Sequence, residues 1–158
     1  GKIISIEPHP QNFSLLQENI NSNNFLKTKL VNKAITNSNK GIELFIDSLD
    51  DSAHSIYGIG EKSIMIKSST LIDIMNESNF SKCDLLKMDC EGAEFEIMQS
   101  LSNNELLKIE KICLEYHLKG DDLSSLDNLR IRLEKMGYYV NIKPTNNFLG
   151  MLYAKKKR

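Results

Sequence analysis

A chain of 158 residues, 41% hydrophobic and 26% charged, is long enough for one globular domain with a sizeable core. Its formal net charge of -1 gives no footprint for binding a polyanion, so no nucleic-acid partner is expected. No apolar run reaches the roughly 18 residues that span a bilayer. No charged-then-apolar leader opens the chain. Cys83, Cys90 and Cys113 have no zinc-site spacing. A cytoplasmic protein with reduced thiols and no membrane contact is expected.

In chain order, Ile3 to Ile6 predicts a strand, and Pro8 and Pro10 then forbid the ladder to continue. Phe13, Leu16 and Ile20 recur at helical spacing and predict a helix over 10–22, ended by Asn21, Asn23 and Asn24. A strand over 29–35 would complete a parallel strand, helix, strand unit. The segment from about 36 to 69 predicts a hairpin-like insertion, with strands at 42–47 and 63–68 around a polar loop at 48–61 that carries His54, Ser55 and Tyr57. Ser68 or Ser69 should cap a helix over 70–77. A strand at 85–88, a helix containing Phe95, Met98 and Leu101, a helical turn at 103–108 and a strand at 111–117 follow. A helix over 123–136 stops at Gly137, and strands at 138–142 and 148–154 close the chain as an antiparallel hairpin. The fold class is therefore α/β, a doubly wound, mostly parallel sheet with an antiparallel end. Lys155-Lys156-Lys157-Arg158, the only basic run, reads as a solvated terminus.

Chemistry-bearing residues gather at Asp84-Leu85-Leu86-Lys87-Met88-Asp89-Cys90-Glu91-Gly92-Ala93-Glu94, an apolar strand that breaks into an acidic turn. Charges on a buried strand must be paired or used. Lys87 and Asp89 are two apart, so their side chains share a face and can pair. Ligands of open α/β sheets collect outside the carboxyl ends of the strands, where Asp89 and Glu91 would fall. The helix dipole accounts for much of Glu91 and Glu94. His117 ends the next strand and opens on the same crevice if the two strands are parallel neighbours; an imidazole there suits a general base. Glu7, at the end of the first strand, can accept both hydrogen bonds of a ribose diol. His9 and His54 are lone loop histidines.

Three strings carry a family resemblance: Ile6-Glu7-Pro8, Ile66-Lys67-Ser68-Ser69-Thr70-Leu71-Ile72-Asp73, and Leu86-Lys87-Met88-Asp89-Cys90-Glu91-Gly92-Ala93-Glu94. Together they resemble the FkbM family of S-adenosylmethionine-dependent methyltransferases, from Ile3 to about Tyr153. The resemblance implies a Rossmann-like class I methyltransferase sheet whose last strand enters antiparallel. It implies S-adenosylmethionine held by Glu7, Pro8, Ala34, Ile35 and Asp89, with the adenine ring over Ala34 and Ile35. Asp89 would face the methionine amine or the methyl acceptor. The family would add a preceding strand, an Asp-x-Gly-Ala-Asn-x-Gly loop and a first helix, so this single domain is expected to be an N-terminally truncated piece of a longer enzyme.

The function expected is O-methylation of a saccharide or related hydroxylated small molecule, with Asp89, His117 and Glu91 as catalytic residues and His117 as the base. No metal ligands are assigned, although Asp89 with Glu91 could supply a divalent cation. A non-catalytic domain that keeps the fold and binds a nucleotide, glycan or protein is the alternative. A nicotinamide oxidoreductase would also explain Glu7, but predicts a parallel final strand.

Overall fold

The computed structural model describes residues 1–23, 27–46, 62–118 and 123–157. The loop at 48–61, with His54, Ser55 and Tyr57, lies outside them. The chain divides into two compact units, Gly1–Asn79 and Phe80–Arg158. Among the described residues no helix is long and apolar enough to cross a membrane.

In the first unit, β1 (Ile3–Ile6) and β2 (Thr28–Val31) pair in parallel, Ile3 opposite Thr28 and Ile6 opposite Val31. Between them runs α1 (Pro10–Ser22), with proline in its first turn, where a missing N–H costs nothing. The strand predicted over 29–35 is two strands. Asn32 interrupts it, and its side-chain amide donates to the carbonyls of Glu7 (2.8 Å) and Pro8 (3.0 Å). The chain resumes as β3 (Ala34–Ile35), which changes partner and pairs in parallel with β6 (Ser68–Ser69).

β4 (Ile42–Ile46) and β5 (Lys62–Ile66) pair antiparallel, Ile42 opposite Ile66. The cap of α2 (Leu71–Glu77) is Thr70, whose hydroxyl accepts from the N–H of Asp73, rather than Ser68 or Ser69. Ser68 is committed elsewhere, since its hydroxyl accepts from the Gly41 N–H at 3.0 Å and donates to the Ser38 carbonyl at 2.8 Å. Among the described residues, Val31, Ala34, Leu44, Leu71, Ile74 and Met75 are this unit's buried apolar side chains.

The second unit is a four-stranded sheet in the order β7, β8, β10, β9, where β7 is Leu86–Met88, β8 Lys111–His117, β9 Tyr138–Pro144 and β10 Leu149–Lys156. β7 and β8 are parallel. β10 is antiparallel to both of its neighbours, the arrangement that a nicotinamide-binding domain was expected to lack. Lys155 and Lys156 belong to β10 rather than to a free tail, and the Lys156 ammonium lies 3.4 Å from the Glu110 carboxylate.

Alternation along β8 buries Ile112, Leu114 and Tyr116. These residues, with Leu152 and Ala154, form a core with Ile97 and Met98 of α3 (Glu94–Ser100) and Leu129 and Leu133 of α5 (Leu123–Lys135). Gly150, opposite Tyr116, has no alternative, because a Cβ there would lie 2.4 Å from the tyrosine oxygen and 2.7 Å from the Lys143 carbonyl. The short α4 (Asn103–Leu106) starts with a reciprocal capping box between Ser102 and Glu105. Arg132 ties α5 to the end of α3 by donating to the carbonyls of Met98 (2.9 Å) and Leu101 (2.5 Å). The Tyr138 hydroxyl, 2.5 Å from the Ile109 carbonyl and 2.8 Å from that of Leu106, is pushed to a pKa of about 12 by burial, with the Glu110 charge adding to it.

Candidate functional site

β7 stops at Met88, and the chain turns through two consecutive left-handed residues, Glu91 (φ 49°) and Gly92 (φ 102°), before α3 begins at Glu94. Glycine takes such a conformation without strain, whereas a glutamate takes it at a cost. The residue before α3 is Ala93, which has no capping side chain. Glu94 reaches back instead. Its Oε1 accepts from the N–H groups of Cys90 (2.8 Å) and Gly92 (3.1 Å), and its Oε2 from Gly92 (3.1 Å).

Glu94 is completely buried. A carboxylate out of water is tolerated only when donors surround it, and the turn is folded so as to supply them. From β8, His117 Nδ1 comes within 3.1 Å of Glu94 Oε1. On the other side of the ring, His117 Nε2 is 3.4 Å from Glu91 Oε2. The imidazole therefore stands between two carboxylates, a buried one on Nδ1 and a half-exposed one on Nε2. Burial raises the Glu91 pKa above the ordinary carboxylate value, and attraction to His117 works against that rise. Burial also pushes the Cys90 thiol up to about 12, helped by the Glu94 charge.

Lys87 and Asp89 pair at 3.3 Å, as the spacing predicts. The premise of a buried charged strand is corrected, however: the Lys87 side chain is 59% exposed and stays in water. Asp89, Glu94 and His117 each present a ligand atom within 4.8 Å of the others. By donor chemistry this trio could hold a divalent cation, with Glu94 in the place that the sequence gave to Glu91. The parallel pairing of β7 with β8 is what brings Asp89, Glu91 and His117 together.

Glu94, read from sequence as a helix-dipole acid, is instead the buried acceptor of the turn. A signal was available, since Glu94 lies three and four residues before the buried Ile97 and Met98 and so continues the apolar stripe of α3.

Glu7, Pro8, Ala34 and Ile35 lie in the first unit. Glu7 directly follows β1, and its Oε1 accepts the His9 N–H at 2.8 Å, which fixes the carboxylate at the strand's carboxyl end. Asn32 clamps the Glu7 and Pro8 carbonyls. Ala34 is buried and Ile35 half-buried at the next strand end. An anchored carboxylate can accept from the hydroxyls of a ribose diol, and a small apolar surface can carry an aromatic base.

The profile of the methyltransferase FkbM domain matches residues 1–140. Among curated proteins, the AMB antimetabolite synthetase AmbE of Pseudomonas aeruginosa is 27% identical over 105 residues, which are 65% of this chain and 5% of that protein. The chain thus spans a small fraction of its curated relative. Among solved structures, precorrin-6y C5,15-methyltransferase from Geobacter metallireducens GS-15 is similar over 99% of this chain and 68% of its own, with a TM-score of 0.52 and 14% identity. A human methyltransferase 10 domain containing protein is similar over 98% of this chain and 60% of its own, with a TM-score of 0.54 and 13% identity. At such identities the likeness shows the fold, a Rossmann-like methyltransferase α/β sheet. Since the FkbM profile spans most of its length, the chain belongs to the FkbM methyltransferase family.

Proposed function

We propose that the protein is an S-adenosylmethionine-dependent O-methyltransferase acting on a hydroxyl of a saccharide or related hydroxylated metabolite. The observation that carries this reading is His117, held at the end of β8 between Glu91 and Glu94 and grouped with Asp89, in a chain of a methyltransferase family. S-adenosylmethionine supplies a methyl group on a sulfonium, whose carbon–sulfur electron pair returns to sulfur on transfer. The protein's remaining tasks are alignment and removal of one proton.

In this reading Glu7 accepts the ribose hydroxyls, Pro8 shapes the strand end, and Ala34 and Ile35 bear the adenine. Asp89 orients the methionine amine or the acceptor. His117 Nε2 takes the acceptor's proton as the new carbon–oxygen bond forms, and Glu91 stabilises the imidazolium that results. A hydroxyl is a poor nucleophile while protonated, so a base beside the transfer site suits an oxygen acceptor.

The test is calorimetry of the protein encoded by the full open reading frame with S-adenosylmethionine, followed by transfer of labelled methyl to a panel of monosaccharides, nucleotide sugars and simple hydroxy acids. Binding, and transfer lost in His117→Ala, is the expected result. No heat from a folded chain overturns the reading in favour of a non-catalytic binding domain.

A further inference from the structure

Glu94 is fully buried, yet the proposed chemistry gives it no task, and its position decides what His117 can do. We propose that Glu94 is a positioning residue that fixes His117 as the Nδ1–H tautomer and so presents a basic Nε2 to the methyl acceptor; the catalytic half of this inference rests on the function proposed above.

A neutral imidazole carries one hydrogen, and the partner of one nitrogen decides the fate of the other. A carboxylate only accepts, so at 3.1 Å from Glu94 Oε1 the hydrogen belongs on His117 Nδ1. Glu94 itself cannot swing away. Its oxygens are pinned by the N–H groups of Cys90 and Gly92, in a turn whose two left-handed residues aim those donors inward. Ring, carboxylate and turn are thus one rigid assembly. The Nε2 side is different: Glu91 Oε2 stands 3.4 Å away, longer than a hydrogen bond, on a side chain that is 39% exposed.

A buried carboxylate behind a histidine base is a recurrent device that holds the imidazole in one tautomer and orientation.

The test uses the full chain labelled with nitrogen-15 histidine, with long-range proton–nitrogen correlations recorded at alkaline pH. The expected result is Nδ1–H for His117 in the wild type and a shift toward Nε2–H in Glu94→Ala, which removes the oxygen that faces Nδ1. With an acceptor from the panel above, Glu94→Ala should lower kcat by about a hundredfold or more with little change in KM.

A wild-type His117 found as Nε2–H overturns the inference, and that result does not depend on how any variant folds. So does an unchanged tautomer in a folded Glu94→Ala. If the wild type shows Nδ1–H but S-adenosylmethionine does not bind, the tautomer assignment stands and only the function proposed above fails.

Discussion

Glu91 offers a measurement in which the sign alone decides. Glu91→Ala and Glu91→Gly delete the same carboxylate and the same approach to His117, so they differ only in backbone freedom. At φ 49° a residue with a Cβ carries about 1–2 kcal/mol of strain that glycine does not. Glycine gives back about 0.4–1 kcal/mol through its greater freedom in the unfolded chain. The difference leaves Glu91→Gly the more stable variant by about 0.5–1 kcal/mol. At an ordinary negative φ the order is reversed, glycine being worse than alanine by about 0.5–1 kcal/mol. For a chain of this size the expected gap is about 1–4 °C in Tm, read from thermal unfolding of the two variants side by side and checked by urea titration. If Glu91→Gly melts below Glu91→Ala, the left-handed turn that holds Glu94 in place is wrong, and the inference built on it loses its support.

Gly150→Ala should destabilise by about 1–3 kcal/mol, measured by urea denaturation, because the new methyl meets Tyr116 and the Lys143 carbonyl at 2.4 and 2.7 Å; a neutral substitution refutes the register of β10 on β8. Burial raises the Glu91 pKa, so the folded state holds that proton more tightly than the unfolded chain does. The resulting stabilisation is complete below the unfolded pKa, near 4.5, and disappears as pH rises through the higher folded value. Glu91→Gln should therefore gain stability relative to wild type from about pH 4.5 upward, and a flat difference across that window refutes the burial argument.

The long periodic elements were readable from sequence. α1 and α5 announced themselves through apolar spacing, and the closing hairpin through the turn between two short apolar runs. What escaped was decided by single side chains acting at a distance. Nothing local distinguishes Asn32 from its neighbours, yet its reach to the Glu7 and Pro8 carbonyls divides a predicted strand. The spacing of Lys87 and Asp89 gave their pairing, but period-two reasoning alone could not say that this face is solvated. The string from Lys87 to Glu94 located the candidate site. It could not rank the acids within it, because the rank depends on where β8 places His117.

The placement of β10 between β8 and β9 has a kinetic consequence. β9 shares no ladder with β8, and its membership of the sheet passes entirely through β10. The β9–β10 hairpin closes a short loop and can form within microseconds. Pairing β10 with β8 spans the whole of α5 and pays a larger loop-closure entropy before any reward arrives. The hairpin should therefore exist as a transient, one-sided ribbon that later docks as a unit. The rate of that docking sets when α5 finds its floor, so slow refolding of this unit should track substitutions along the β8–β10 seam more than those in the hairpin turn.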